Sequence, residues 1–332
     1  MPDSHNILVV GFGLAGAAVA AHLEKRKADY TVITSPSKSS SSRVAAGMFN
    51  PIVFRRLLKT WMADTILPYA ETFYRELEEK LNAEFYHPVR YYKLFGKEEA
   101  EFWEKRSLLD DTKPYLSETV IPDLNQNYLK TPFGAGEVFG AGYVDINTYL
   151  DAFRHYLKSS GKLIIDDLDY FEIELKERNA HFRDKAYDRV IFCEGSHAIH
   201  NPWFSDLPFK LTKGEVLTIE SELDMDFAVN KNGFVLPLGN HRYRVGATYE
   251  WKDVTEEPTE EGRETLVGKF RAISDAKFSI IEHKAGIRPT LANRRPVYQI
   301  HDIYRQLAVF NGLGTKGVML APYFANELVK SL

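Results

Sequence analysis

Three glycines near the start of the chain have the spacing of a turn that binds an anion. Gly11, Gly13 and Gly16 follow the apolar residues 7–10 and lead into an alanine-rich segment, which favours a helix. In such a unit the first glycine makes the tight turn, the second admits a pyrophosphate and the third lets helix and strand pack closely. We therefore predict a dinucleotide site, with tight packing alone as the alternative, at Gly11, Gly13, Leu14, Ala15 and Gly16.

The next strand ends without the acidic residue that such a site often uses for the ribose hydroxyls. Residues 29–34 predict the strand, and the acid is expected about twenty residues beyond the glycines. Thr34 and Ser35 stand in that place. Their hydroxyls can form hydrogen bonds but carry no charge. We predict that Thr34, Ser35 or their backbone meets the ribose.

A second strand–turn–helix pattern stands at the other end of the chain. The apolar residues 307–310 run into glycines at 312, 314 and 317, and a helical pattern follows to Leu328. Backbone donors and the positive end of a helix stabilise negative charge that builds on a ligand. The pattern therefore predicts a second ligand contact there.

The composition limits the class of protein. The 332 residues are 44% hydrophobic, enough for a large core and one or two domains. The 42 Lys and Arg against 46 Asp and Glu give a net charge of −4, which predicts no nucleic-acid partner and no attraction to membranes. Cys193 is the only cysteine, so we expect a cytoplasmic location. We expect neither a membrane span nor a cleaved signal peptide.

Between these ends the chain alternates helical and strand-like segments. Apolar spacing predicts a helix over 53–81 that Pro68 kinks or divides. Residues 85–139 predict short strands of a second, inserted unit. Asp145 has the position of a helix N-cap, and residues 207–283 predict antiparallel strands with one helix over 260–273.

The loop after the second strand resembles a known family. Small residues at 45–47 suit a backbone that lies against a flat ligand, and the segment is similar to the flavin-contacting loop of the D-amino-acid oxidase and glycine oxidase family. Similar matches follow at 190–195, 286–289 and 311–322. The resemblance implies FAD as cofactor, with contacts from Ser42, Arg43, Ala45, Ala46, Gly47, Met48, Glu194, Gly195, Gly312, Leu313, Gly314, Thr315, Lys316 and Gly317.

The same resemblance points to two residues of a substrate site. Arg288 stands in Gly-Ile-Arg-Pro, where relatives carry an arginine that binds the substrate carboxylate. A planar guanidinium offers two parallel donors that match a carboxylate, although an arginine in a loop or a salt bridge is the alternative. Phe234 replaces a tyrosine whose hydroxyl helps hold the carboxylate in relatives, so we expect Arg288 to carry most of the anion recognition.

The implied fold is α/β, with a glutathione-reductase-type FAD-binding domain and an inserted antiparallel-sheet substrate domain. The expected FAD-binding domain comprises 1–82, 138–206 and 285–332, and the substrate domain comprises 83–137 and 207–284. The implied activity is oxidation of a C–N bond in a small amine or amino acid by hydride transfer to FAD. Alternatives are a flavoprotein acting on a modified tRNA base, a nicotinamide-dependent dehydrogenase and a non-catalytic flavin-binding protein.

Overall fold

The computed structural model describes residues 6–332. Its helices are α1 (Leu14–Lys25), α2 (Ser41–Val44), α3 (Ala63–Leu81), α4 (Glu99–Ser107), α5 (Ile146–Ser159), α6 (Glu260–Ile273) and α7 (Gly317–Ser331). Its strands are β1 (Asn6–Val10), β2 (Asp29–Thr34), β3 (Met48–Phe49), β4 (Ile52–Val53), β5 (Leu58–Lys59), β6 (Tyr86–Pro88), β7 (Tyr91–Leu94), β8 (Ala135–Val138), β9 (Gly142–Val144), β10 (Leu163–Ile165), β11 (Ile173–Leu175), β12 (Ala180–Phe182), β13 (Lys185–Tyr187), β14 (Arg189–Phe192), β15 (Thr212–Ser221), β16 (Ala228–Asn230), β17 (Phe234–Pro237), β18 (Arg242–Gly246), β19 (Phe278–Arg288), β20 (Val297–Ile300) and β21 (Leu307–Asn311).

A six-stranded sheet forms one centre of the fold, in the order β10-β2-β1-β14-β21-β20. The first five strands run parallel and β20 is antiparallel. Ile7 and Val9 face the helices α1, α3, α5 and α7, whereas Leu8 and Val10 face the small sheet β11-β12-β13. Burial on both faces explains why β1 is continuously apolar.

The glycine turn after β1 is held by close backbone packing. A Cβ on Gly16 would overlap the carbonyl oxygen of Gly11, and a Cβ on Gly11 would overlap the carbonyl oxygen of Cys193. Gly11 also has a φ of +98°, a conformation that side chains rarely adopt. The turn therefore requires glycine at both positions, as the sequence pattern predicts.

A seven-stranded sheet forms the second centre, in the order β19-β15-β18-β17-β16-β7-β8. Its long strands β15 and β19 pair antiparallel, with Thr212 opposite Arg288. Helix α6 covers one face through Leu266, Phe270 and Ile273. Strand β19 of this sheet packs against helix α2, since a Cβ on Gly286 would stand 3.2 Å from the Val44 Cβ.

The elements confirm most local predictions and correct one. The Asp145 side chain accepts hydrogen bonds from the backbone N–H groups of Asn147 and Thr148 at the start of α5, and α6 spans the predicted 260–273. The helix predicted from residue 53 is wrong at its beginning, because residues 52–59 form the hairpin β4–β5. Helix α3 begins at Ala63 and continues through Pro68 without a division.

Candidate functional site

One cleft lies between the two sheets, at the carboxyl ends of β1, β2, β14 and β21. Its wall consists of Val10–Ala15, Ile33–Ser35, Lys38–Ser42, Val44–Met48, Ile146, Asp166, Leu168, Cys193–His197, Gly214, Val216, Phe234, Ala247, Tyr249, Gly286, Arg288, Pro289, Asn311, Leu313–Thr315, Gly317 and Val318. Ligands of open α/β sheets bind in this position, where strand order reverses around β1. Most residues predicted for the site from the sequence therefore meet in one place.

The start of helix α1 faces the cleft with its backbone donors available. The N-cap residue Gly13 provides no side-chain cap and the first turn has no acidic residue, so no negative charge within the helix offsets its positive end. The backbone N–H of Leu14 donates to the Ser42 hydroxyl at 3.1 Å. A Cβ on Gly13 would stand 3.0 Å from the Ser42 hydroxyl and 3.2 Å from that of Ser40. A backbone open to close approach suits a pyrophosphate.

The next part of the wall is formed by the ends of β2, β10 and β14. Thr34 lies here, and its carbonyl accepts a 3.0 Å hydrogen bond from the backbone of Asp166. The Glu194 carboxylate accepts hydrogen bonds from the Tyr170 hydroxyl at 2.7 Å and the Asn201 amide at 2.8 Å. The pKa of Glu194 is raised, because the effect of burial exceeds that of these two hydrogen bonds, which lower it.

Two charged residues of this end escaped the sequence analysis. Asp166 and Lys38 line the cleft with Thr34 and Glu194, so two acidic residues share this part of the wall with the uncharged end of β2. The Asp166 carboxylate forms a 2.6 Å ion pair with Arg183. Asp166 follows β10, which lies beside β2 in the sheet although far from it in the chain. No local pattern signals this neighbourhood, because it depends on the strand order.

At the far end of the cleft, a second helix begins beside a tightly packed loop. Gly47 has a φ of +71°, and a Cβ there would overlap the carbonyl oxygen of Val144. Met48, Leu313 and Gly317 lie on the same wall. Helix α7 has no side-chain cap and no acid in its first turn. Its positive end therefore suits a ligand that gains negative charge.

The Arg288 guanidinium occupies the wall formed by β15 and β19. Its two terminal nitrogens donate to the carbonyls of Lys213 at 3.1 Å and Thr248 at 3.2 Å. The Tyr249 ring lies 4.5 Å from the guanidinium carbon. A Cβ on Gly214 would overlap the guanidinium. Burial lowers the pKa of Arg288, and the Tyr249 phenol acts in the opposite direction.

Arg288 forms no ion pair with a carboxylate in the described part of the chain. The guanidinium is therefore oriented by neutral carbonyl groups, and no neighbouring negative charge neutralises it beside the cleft. Phe234 lies on the same wall, with its ring against Gly246. Tyr249, which no sequence pattern indicated, supplies an aromatic face to the arginine.

Four predicted cofactor residues lie outside the cleft wall. Gly16 packs against the backbone of Gly11, and Gly312 packs against Leu291. The Arg43 side chain is directed to Asp151, with a 2.7 Å ion pair. Lys316 donates to the Thr60 hydroxyl at 2.5 Å, and burial lowers its pKa to about 8. A strand–turn–helix pattern does not distinguish the residues that face a ligand from those that pack behind them.

Two helix ends that open on one cleft, each behind a glycine turn, define a dinucleotide-binding protein. The model of a family described as FAD dependent oxidoreductase (DAO) matches residues 6–331. The chain therefore belongs to this family of FAD-dependent oxidoreductases and is an enzyme with FAD as its cofactor. This assignment confirms the resemblance and the α/β FAD-binding fold.

Individual relatives are distant but cover most of the chain. Glycine oxidase of Bacillus subtilis (strain 168) is 22% identical, over 97% of this chain and 91% of the relative. A tRNA 5-methylaminomethyl-2-thiouridine biosynthesis bifunctional protein of Legionella pneumophila (strain Corby) is 23% identical over 89% of this chain, which spans 45% of that protein. The crystal structure of glycine oxidase from Bacillus cereus ATCC 14579 has a TM-score of 0.80, with 18% identity and coverage of 98% and 94%.

Two kinds of feature are absent from residues 6–332. Among residues 6–332, no helix combines the length and apolar character that crossing a membrane requires. The same residues contain no group of three or more His, Cys, Asp or Glu side chains arranged to hold a metal ion.

Proposed function

We propose that the protein oxidises a C–N bond of an amine or amino acid that carries a carboxylate. When bound, FAD accepts the hydride from the carbon beside nitrogen. The observation that carries the proposal is the Arg288 guanidinium, which lines the cleft and has no carboxylate partner in the part of the chain that the structure describes. An unpaired, partly buried cation beside a cofactor cleft is a recognition group for an anionic substrate.

The cofactor contacts follow from the cleft wall. The α1 turn at Gly11–Ala15, with Ser42, would hold the pyrophosphate through backbone donors. Thr34, Ser35 and Glu194 would meet the ribose end, whereas Ala45–Met48 and Leu313–Thr315 would lie along the ring. This arrangement follows the two uncapped helix ends.

The domain division is also a proposal. The FAD-binding domain would comprise residues 1–82, 138–206 and 285–332, and the substrate domain residues 83–137 and 207–284. All strands of the six-stranded sheet fall within the first set. The seven-stranded sheet falls within the second set, except for the last residues of β8 and β19.

Arg288 keeps enough donors for a carboxylate. A guanidinium has five N–H groups, and its hydrogen bonds to Lys213 and Thr248 occupy two of them. The remaining three are available to a ligand. Because Phe234 has no hydroxyl, the arginine would supply the main polar contact of that wall.

Among residues 6–332, the substrate end of the cleft offers no efficient general base. Its titratable side chains are Arg288 and Tyr249, and neither a guanidinium nor a phenol accepts a proton readily near neutral pH. We infer that the substrate amine reaches the cleft neutral, having lost its proton to water. Flavin reduction should therefore rise with pH along the substrate's own titration, and two amines of different basicity should give displaced profiles. Identical profiles would contradict this inference.

The test is anaerobic reduction of the FAD-loaded protein by a panel of amines and amino acids, followed as loss of flavin absorbance. Arg288→Ala should weaken substrate binding by about 10- to 150-fold, the equivalent of a hydrogen bond to a charged group worth about 1.5–3 kcal/mol. Arg288→Lys keeps the charge but loses the fork, so it should rescue only part of the binding. FAD affinity should not change in either variant.

Arg178→Ala is the matched control, because this exposed arginine lies in the turn between β11 and β12, away from the cleft. If no amine reduces the flavin, the proposed function fails. If amines reduce the flavin but Arg288→Ala binds them like the unaltered protein, only the role of Arg288 fails.

A second candidate is action on a modified tRNA base. It is favoured by the relative whose name refers to tRNA biosynthesis and which aligns with 89% of this chain. The chain covers less than half of that bifunctional protein, so its activity does not transfer as a whole. Flavin reduction by tRNA, but by no free amine, would favour this candidate.

A further inference from the structure

Four arginines that the cleft does not use are exposed on two loops. Arg55 and Arg56 are at the tip of the β4–β5 hairpin, and Arg294 and Arg295 are in the turn before β20. All four side chains are exposed, and none forms an ion pair within residues 6–332. We call these four residues the arginine surface. The chain as a whole is acidic, with a net charge of −4, which predicts no nucleic-acid partner, but a net charge averages over the whole surface and does not describe a local group of arginines.

The hairpin presents its two arginines from a rigid base. Ile52 pairs with Lys59, and the backbone N–H of Arg56 donates to the Val53 carbonyl. Leu57 is 1% exposed, and its carbonyl accepts a 2.9 Å hydrogen bond from Arg106. The tip is therefore anchored on both sides, which reduces the entropy lost when its side chains bind a partner.

Trp61 joins the hairpin to the second pair of arginines. Its ring lies between Phe324, with a centroid separation of 5.5 Å, and the Arg295 guanidinium, 3.8 Å from the ring centroid. The stacking orients Arg295 while its N–H edges remain free for a partner. Tyr298 packs on the same Phe324 ring and remains 39% exposed.

The arginine surface adjoins the substrate end of the cleft. Phe54, directly before Arg55, packs in one apolar cluster with Met48 and Phe234, and both of these line the cleft. On the other side, a Cβ on Gly312 would stand 3.1 Å from the Arg295 carbonyl, and Gly312 directly precedes Leu313 of the cleft wall. A molecule bound on this surface would therefore lie beside the reacting end of the cofactor.

We propose that the arginine surface binds the phosphate backbone of an RNA strand that carries the reacting amine. Guanidinium groups bind phosphate through paired donors. The four groups stand on an open hairpin and turn, outside the concave wall that a small ligand requires. Several separate cations on an open surface match successive phosphates of an extended strand, and an exposed tyrosine offers a face for a base.

The test measures binding of a short, fluorescent, single-stranded RNA to the FAD-loaded protein by anisotropy, at about 50 mM and about 200 mM salt. The double variant Arg55→Gln/Arg56→Gln should bind at least tenfold more weakly at low salt. Its salt dependence should fall by roughly 1.4 in the slope of log K against log salt, since each single-strand phosphate contact contributes about 0.7.

The control is Arg178→Gln/Arg305→Gln, which removes two exposed arginines near the amino-terminal end of β21, opposite the cleft. Neither arginine forms an ion pair with any of the residues that the structure describes. This control should bind RNA like the unaltered protein. No RNA binding at low salt, or equal losses in both double variants, would overturn the proposal. Polyglutamate should displace the labelled RNA less effectively than unlabelled RNA does. Equal displacement by the two competitors would also overturn the proposal, because it would indicate a site for an acidic protein.

The inference rests on the proposed function only for the statement that the RNA carries an amine. RNA binding is measured without turnover, and reduction of FAD by free amines is measured without RNA. If the protein binds RNA but no amine reduces FAD, the proposed oxidation is wrong and the RNA-binding proposal is supported. If amines reduce FAD but the protein does not bind RNA, only the RNA-binding proposal is wrong.

Discussion

Two glycines at the turn after β1 are predicted to have different roles: Gly16 allows helix and strand to pack closely, and Gly13 allows the cofactor to approach the backbone. A Cβ on Gly16 would overlap the Gly11 carbonyl oxygen and stand 2.9 Å from its carbon, so the backbone must shift. We expect Gly16→Ala to lower the free energy of unfolding by about 1–3 kcal/mol, or to prevent folding. At Gly13 the nearest atoms are serine hydroxyls at 3.0 and 3.2 Å, and its φ of −97° is accessible to alanine.

Gly13→Ala should therefore leave the apoprotein nearly as stable as before. Its methyl group would enter the space that a phosphate needs, and FAD affinity should fall by about 10- to 150-fold, the equivalent of about 1.5–3 kcal/mol. Thermal unfolding of the apoprotein and fluorescence titration with FAD measure the two effects separately. Gly268→Ala, in α6 with open space around it, is the control and should gain about 1 kcal/mol from helix propensity.

Each of the three glycine variants has an outcome that would contradict the roles assigned to Gly13 and Gly16. If Gly13→Ala binds FAD with unchanged affinity, the pyrophosphate does not lie against this turn. If Gly16→Ala unfolds at the same temperature as the unaltered protein, the close approach of α1 to β1 does not limit the fold. A loss of FAD binding in Gly268→Ala would show that the titration reports general damage.

Three further predictions concern single side chains. Partial burial by itself raises the pKa of Glu24, but hydrogen bonds from two lysines and two tyrosines lower it to about 2. The lowered pKa of Glu24 stabilises the folded state fully above about pH 4.5, and this stabilisation is lost as the pH falls towards 2. In Glu24→Gln the free energy of unfolding, measured by denaturation at several pH values, should therefore depend less on pH between 4.5 and 2. Glu194→Gln should weaken FAD binding about tenfold if its carboxylate meets the ribose, and unchanged affinity in a titration would contradict that contact. Tyr249→Leu removes the ring over Arg288 and should weaken substrate binding about two- to fivefold, while equal binding would exclude the stacking.

The two glycine turns and the strands around them were predictable from the sequence. Their signals are local, because a buried parallel strand is apolar on both faces and a tight turn at Gly11 admits no side chain. The N-cap at Asp145 and the span of α6 are local for the same reason. The family resemblance rests on these segments, so the fold and the cofactor followed from them.

Only the tertiary structure decided which residues face the cleft. The order of strands brings Asp166 beside Thr34, although about 130 residues separate them. Residues 52–59 have a helix-like apolar spacing, yet they form a hairpin because Ile52 and Leu57 are buried against Trp103 rather than along one helical face. The environment of Arg288 likewise depends on the pairing of β15 with β19, which supplies a carbonyl where a carboxylate would have cancelled its charge. Such contacts join residues that are distant in the chain, and local sequence patterns therefore do not predict them.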